Sequence, residues 1–231
     1  MTPAWRRGRP VAEHRWPIPE VNRPYSAPYP DVRDHSGHSK RYGGEAGVTT
    51  TVRRSDATDR PAILALMRRM RGTGLSAEER AREGFIQGRM DDEMLAGMQA
   101  GTGVFVAEVD GDLTGFAVTF TPDMAVSGPP QRLIETLDEQ PQQSRIRRFL
   151  YGPAGVDPRF RGHGILRALL GAIGREFVGR FDQGVLFVEE ANEKSLAVHR
   201  HYGMHTIGDF TFRDRPYVVM SFDPAAAAEL A

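Results

Sequence analysis

There is no cysteine in this chain of 231 residues. That excludes a disulfide framework, a zinc–thiolate site, an iron–sulfur cluster and a cysteine nucleophile, and it suits a reducing, cytoplasmic setting. Lysine is nearly absent. Lys40 and Lys194 are the two lysines among 30 basic residues, and the other 28 are arginines. A phosphate loop ending in Gly-Lys-Ser/Thr is therefore missing, and a Schiff-base lysine would have to be one of those two. Net charge is missing as well, with 30 basic against 30 acidic residues. Nothing draws the chain as a whole to nucleic acid or to an anionic membrane. No apolar run approaches the ~18 residues of a spanning helix. The N-terminus lacks the apolar core of a secretory signal.

What is present divides near Val48. Residues 1–47 are rich in proline and arginine and hold seven of the 16 prolines. The first 48 residues carry a net charge of +3, leaving −3 for the remainder. No apolar periodicity there is long enough to make an element, so the expectation is a disordered or loosely draped extension. It nevertheless holds Trp5, Trp16, Tyr25, Tyr29 and Tyr42, which suits a strap lying on the domain or on a partner. A single domain is expected over residues 48–224, with 225–231 as a short C-terminal tail.

Within the domain, Val48 to Arg53 reads as a strand. Ile63, Leu64, Met67 and Met70 recur at helical spacing. A second helical region opens at Ser76 and runs to about Ala100, broken near Gly84 and Gly88. Val104 to Val109 and Leu113 to Phe120 flank Asp110-Gly111, a pair that marks a tight hairpin turn. Residues 121–145, with four prolines, read as an excursion from the core around a short helical piece. Then come a strand at 147–156, a helix from Ile165, a strand at 185–188, a helix at 192–202 and a closing hairpin over 206–222. The order strand–helix–strand implies a parallel pair in the middle, and the hairpins imply antiparallel pairs on either side. The class is therefore α/β with a mixed sheet and helices on both faces.

The chemistry-bearing segment is Val156-Asp157-Pro158-Arg159-Phe160-Arg161-Gly162-His163-Gly164-Ile165-Leu166. A strand ends, proline turns the chain, and two glycines flank His163 at the start of a helix. The first N–H groups of a helix lack internal partners and the dipole is positive there, so glycines at this point admit a phosphate closely. An ordinary strand-to-helix turn accounts for Gly-x-Gly equally well. It is not a dinucleotide fingerprint, because Arg167 stands at the third glycine position.

In this segment the sequence resembles the GNAT acyl-CoA N-acyltransferases. Their coenzyme A signature, Arg/Gln-x-x-Gly-x-Gly/Ala, is met by Arg159, Gly162 and Gly164. Their second signature runs from an asparagine through small, apolar and aromatic positions to Gly-Phe. Here Asn192, Ser195, Val198, His199, Gly203 and Met204 stand at those offsets. One helix and one strand separate the two signatures, and the likeness covers about residues 49–222. It implies a GNAT-like fold, with a mostly antiparallel sheet and a splayed parallel pair at its centre.

The resemblance also implies acetyl-CoA as co-substrate, with no metal, and direct transfer of the acetyl group to a primary amine in a ternary complex. The pyrophosphate would lie on the backbone of Arg161, Gly162, His163, Gly164, Ile165 and Leu166. The pantetheine arm would run along Gly155 and Val156 and be hydrogen-bonded by Asn192. His199 replaces the tyrosine that many relatives use as proton donor; with an ordinary pKa of about 6.5 it would donate as a cation or relay through water. Its alternative is a helix residue satisfied by a neighbouring carbonyl. Tyr202 is the second donor candidate, or a packed aromatic. Of the paired acids that end the strand, Glu190 is in phase with Leu186 and Val188 and is expected in the cleft; a solvated strand-end acid is the other reading. Asp91, Asp92, Glu93, Glu135, Asp138 and Glu139 are candidates for attracting a cationic acceptor. The acceptor is a small-molecule or peptide amine, and the protein a monomer or homodimer without nucleic acid or membrane partners. Two other readings stay open: a non-catalytic acyl-CoA-binding module, and an interaction protein recruiting a partner through its aromatic extension.

Overall fold

Alternation of apolar residues along the strands sets which helices cover which face of the sheet. A computed structural model describes residues 40–43, 49–140 and 145–230 of the chain. Trp5, Trp16, Tyr25 and Tyr29 lie outside them, as do residues 141–144. The strands are β1 (Lys40–Gly43), β2 (Thr49–Arg54), β3 (Val104–Val109), β4 (Asp112–Phe120), β5 (Arg148–Val156), β6 (Gln183–Glu189), β7 (His205–Phe212) and β8 (Arg215–Phe222). They form one sheet in the order β1-β2-β3-β4-β5-β6-β8-β7. Every pair is antiparallel except β5 with β6. The helices are α1 (Arg60–Arg69), α2 (Ala77–Glu83), α3 (Asp92–Ala100), α4 (Gly128–Asp138), α5 (Ile165–Phe177), α6 (Glu193–His201) and α7 (Pro224–Ala228). No described helix is long and apolar enough to cross a membrane.

On β3, Val104 and Val106 pack toward α1, α3 and α4, while Phe105, Ala107 and Val109 pack toward α5. On β6, Val185 and Phe187 face the first group, whereas Leu186 and Val188 face the second. This is the two-residue period of a strand buried on both sides. Under α5, Phe149 meets Phe177 edge-on at 4.5 Å between ring centroids, and Ile165, Leu169, Leu170, Ile173 and Phe177 form the buried stripe of that helix. The Asp110-Gly111 turn takes φ of 52° and 87°, as a tight hairpin requires.

Three expectations need correcting. Residues 121–145 are not an excursion: α4 packs against β7 and β6, and its Leu133 and Leu137 are wholly buried. One turn apart on the helix, they make a single apolar ridge that the flanking prolines do not disturb. A strand, β1, lies within the segment expected to lack elements; four residues paired along β2 need no apolar pattern of their own. The C-terminal tail begins as α7, capped by the Asp223 carboxylate accepting the Ala225 N–H. That helix packs so closely on α5 that a Cβ on Gly174 would stand 2.3 Å from the Ala228 nitrogen.

Candidate functional site

The parallel pair that organises the site is short. Only Arg148, Phe149 and Leu150 of β5 pair with Gln183, Gly184 and Val185 of β6. Beyond Leu150 the strands part, and among the described residues no strand lies beside the β6-facing edge of β5 from Tyr151 through Gly155 and Val156. That edge leads to the turn before α5. There the Asp157 carboxylate accepts the Arg159 N–H at 3.0 Å and pairs with the guanidinium groups of Arg159 and Arg69. These bonds, Arg159 foremost, hold its pKa down at about 2.

Arg159 is thereby folded back on the turn rather than onto the helix end. Gly162 and Gly164 take φ of 83° and 74°, and a Cβ on either would meet nothing within 4 Å. Among the described residues no side chain caps α5, so the N–H groups of its first turn, beginning at Ile165 and Leu166, have no side-chain acceptor. Arg161 pairs with Glu83 at 3.2 Å, and the exposed His163 turns its Nδ1 to the Arg161 carbonyl. An uncapped helix start behind two open glycines fits an anion such as a pyrophosphate.

Where β5 and β6 part lies a cavity of about 900 Å³. It reaches residues of both sheet faces: Met67, Met98 and Met124 on the α1/α3 side, Tyr151 and His199 on the α6 side. His199 is buried. Its Nδ1 lies 2.7 Å from the Ser195 carbonyl oxygen, one turn earlier on α6. A carbonyl only accepts, so Nδ1 carries the hydrogen and Nε2 has the bare lone pair. That Nε2 is buried and has no partner among the described residues. Burial pushes the imidazole pKa below its ordinary value, with the Ser195 carbonyl opposing. The neutral form is favoured, which runs against the expected role as a cationic donor.

The Tyr151 ring lies edge-on to His199, 5.8 Å between centroids. Its hydroxyl is buried without a partner among the described residues, and burial raises its pKa so that it keeps its proton. Nothing in the sequence sets Tyr151 apart from the other aromatic residues of a buried strand. Asn192, which lines the cavity, donates its Nδ2 hydrogen to the Phe85 carbonyl at 2.8 Å, leaving Oδ1 buried and without a partner among the described residues.

The strand-end acids are placed the other way round from expectation. Glu190 is exposed and lies outside the cavity, with β6 ending one residue before it. Its phase, shared with Leu186 and Val188, belongs to the α5 face. Glu189, in phase with Val185 and Phe187, lines the cavity and is buried. It accepts hydrogen bonds from Gln87 and, at 3.2 Å, from Arg215. Tyr202 also lies outside the cavity, half-buried against the core with His201 edge-on to it. The tyrosines that reach the cavity are Tyr151 and Tyr217, and of these Tyr151 stands beside His199. Asp91, Asp92, Glu93, Glu135, Asp138 and Glu139 lie outside the cavity too. Asp91 caps α3, Asp92 pairs with Arg60, Glu135 and Glu139 pair with Arg132, and Asp138 with Arg148.

No protein-family model matches the sequence, and no curated protein matches it. Solved structures do resemble the fold. An acetyltransferase of the GNAT family from Listeria monocytogenes 4b F2365 is 17% identical, with a TM-score of 0.54 over 80% of this chain and 99% of that one. YncA from Salmonella typhimurium, solved with its cofactor acetyl-CoA, is 19% identical, with a TM-score of 0.52 over 76% and 94%. An N-acetyltransferase from Staphylococcus aureus Mu50 is 20% identical, with a TM-score of 0.51 over 76% and 98%. The mixed sheet, its one parallel pair and the helices on both faces are common ground with these structures, and the fold of this chain is that of the GNAT acyl-CoA N-acyltransferases.

Proposed function

We propose that the protein is an acetyl-CoA-dependent N-acetyltransferase that passes the acetyl group directly to a primary amine, on a small molecule or an exposed amino group. One observation carries this reading. The free edge of β5 joins an uncapped helix start at Gly162–Gly164 to a cavity whose lining residues include His199 and Tyr151, with His199 Nε2 and Tyr151 Oη buried and without a partner among the described residues.

In that reading, backbone N–H groups from Arg161 to Leu166 hold the pyrophosphate. The free edge at Gly155 and Val156 hydrogen-bonds the amides of the arm, with Asn192 Oδ1 as a further acceptor. Acetyl-CoA supplies the activated acyl group. Neutral His199 takes a proton from the arriving ammonium at Nε2. The Tyr151 hydroxyl offers a hydrogen bond where negative charge develops. Glu189 holds the amine in place by its charge. As the new N–C bond forms the thioester C–S bond breaks, and the amine's remaining displaced proton ends on sulfur, giving an amide and a free thiol.

The test is release of free thiol from acetyl-CoA across a panel of amines, beside the shift in Tm that acetyl-CoA produces. Protection together with amine-dependent thiol release supports the reading. Protection without release from any amine would leave an acyl-CoA-binding module, and neither effect would remove both readings.

A further inference from the structure

The cavity carries the opposite charge from the acidic helices around it. Its formally charged lining residues are Arg71, Arg80, Arg89, Arg213 and Arg215 against one acid, Glu189. Glu189 has cationic neighbours, with Arg215 3.2 Å away and Arg80 4.0 Å away, and Gln87 donates to it. Arg71 is not matched. It follows α1, its backbone forms a bridge with Ile86, and its Nε is buried with no hydrogen-bond partner. Among the described residues no carboxylate pairs with it. Burial, and after it the like charges of Arg89 and Arg68, disfavour its cation. Arg213, in the turn between β7 and β8, has no carboxylate partner among the described residues either; its guanidinium lies over the Phe212 ring at 5.3 Å.

A guanidinium partly desolvated among like charges is unfavourable until an anion completes it. Its planar donor fork suits a carboxylate. The remaining walls are apolar and deformable, with Met67, Met94, Met98 and Met124 beside Phe120.

We propose that the acceptor amine carries a compact anionic group, of the kind an amino-acid carboxylate presents, which Arg71 receives while an apolar side chain lies on the methionine-lined wall. The proposal rests on the acetyl-transfer reading and names its acceptor class. The ammonium end then belongs beside Glu189 and His199, and the product is an N-acetylated amino acid with free CoA thiol.

The test compares matched amines in the thiol-release assay: methionine and phenylalanine, their carboxamides, and the amines lacking the carboxyl group altogether. kcat/KM for the carboxylates is expected to exceed that for the amides by about tenfold or more, since a site built for a polar group rejects the analogue lacking it. In Arg71→Gln that ratio falls to about threefold or less, while acetyl-CoA still raises Tm. Arg213→Asn, which tolerates the positive φ of that turn, is expected to raise KM for the carboxylates. A second readout needs no turnover. With CoA present, N-acetylmethionine raises Tm more than N-acetylmethioninamide in the wild-type protein, and this difference is lost in Arg71→Gln.

Thiol release that favours the neutral or cationic amines would overturn this inference and leave the acetyl-transfer reading standing. Loss of acetyl-CoA protection in Arg71→Gln would assign that arginine to the co-substrate and also overturn it. Absence of both protection and thiol release in the wild-type protein would end both.

Discussion

The imidazole of His199 is tied by Nδ1, at 2.7 Å, to the carbonyl oxygen of Ser195 on the preceding turn of its own helix. That carbonyl is also the i−4 acceptor for the backbone N–H of residue 199 within α6, so the ring shares an acceptor internal to the helix. Sharing fixes the ring's orientation and tautomer, and Nε2 is left as the acceptor at the cavity.

This arrangement has a pH signature. The folded His199 pKa is lowered, chiefly by burial. Between that lowered value and the ordinary 6.5, the unfolded chain binds more protons than the folded one. Stability is therefore full above about 6.5 and falls as pH drops through the window below it. Base activity follows the neutral form, so the acid limb of kcat/KM should lie below 6.5. His199→Asn should lower thiol release by about a hundredfold and abolish that limb. An acid limb at or above the ordinary histidine value would contradict the assignment.

Glu189 and Glu190 offer a paired comparison. Glu189→Gln removes the one carboxylate that lines the cavity among the described residues and leaves Arg215 without its partner, so kcat/KM for amines should fall about tenfold or more. Glu190→Gln alters an exposed side chain outside the cavity and should change the rate by less than about twofold. Steady-state kinetics on the two variants decides which strand-end acid serves the site.

Gly164 has a φ of 74° and open space where a Cβ would stand. Gly164→Ala should cost about 1 kcal/mol of stability from the left-handed backbone alone. The methyl group would also stand where an anion approaches the start of α5, so the KM for acetyl-CoA should rise more than the KM for the amine. Urea unfolding and kinetics with each substrate varied in turn separate the two effects.

The wholly buried Leu133 tests whether α4 belongs to the core. Leu133→Ala should destabilise the protein by about 3 kcal/mol, measured by urea denaturation. A loss below about 1 kcal/mol, the scale of a surface substitution, would return residues 121–145 to the status of an appendage.

Much of the fold could be read from residue patterns. The stripe from Ile165 to Phe177 and the Asp110-Gly111 turn are local signals, and each became the element it suggested. Leu133 and Leu137 carried the same kind of signal, but four nearby prolines obscured it. Proline marks where a helix starts and says nothing about what its later turns bury. β1 was not legible, because a short edge strand draws its order from the neighbour it pairs with.

The sequence by itself determined the sheet's class, the strand–turn–helix around Gly162 and Gly164, and the spacing of that turn from Asn192 and His199. These depend on neighbours within a few residues or on the period of one element. Only the tertiary structure decided which strand-end acid enters the cavity, which tyrosine stands beside His199, and which sign of charge lines the walls. Each of these turns on which face of the sheet is packed under α5 and where β5 parts from β6. That is fixed by contacts between segments far apart in the chain, which single-chain periodicity does not encode.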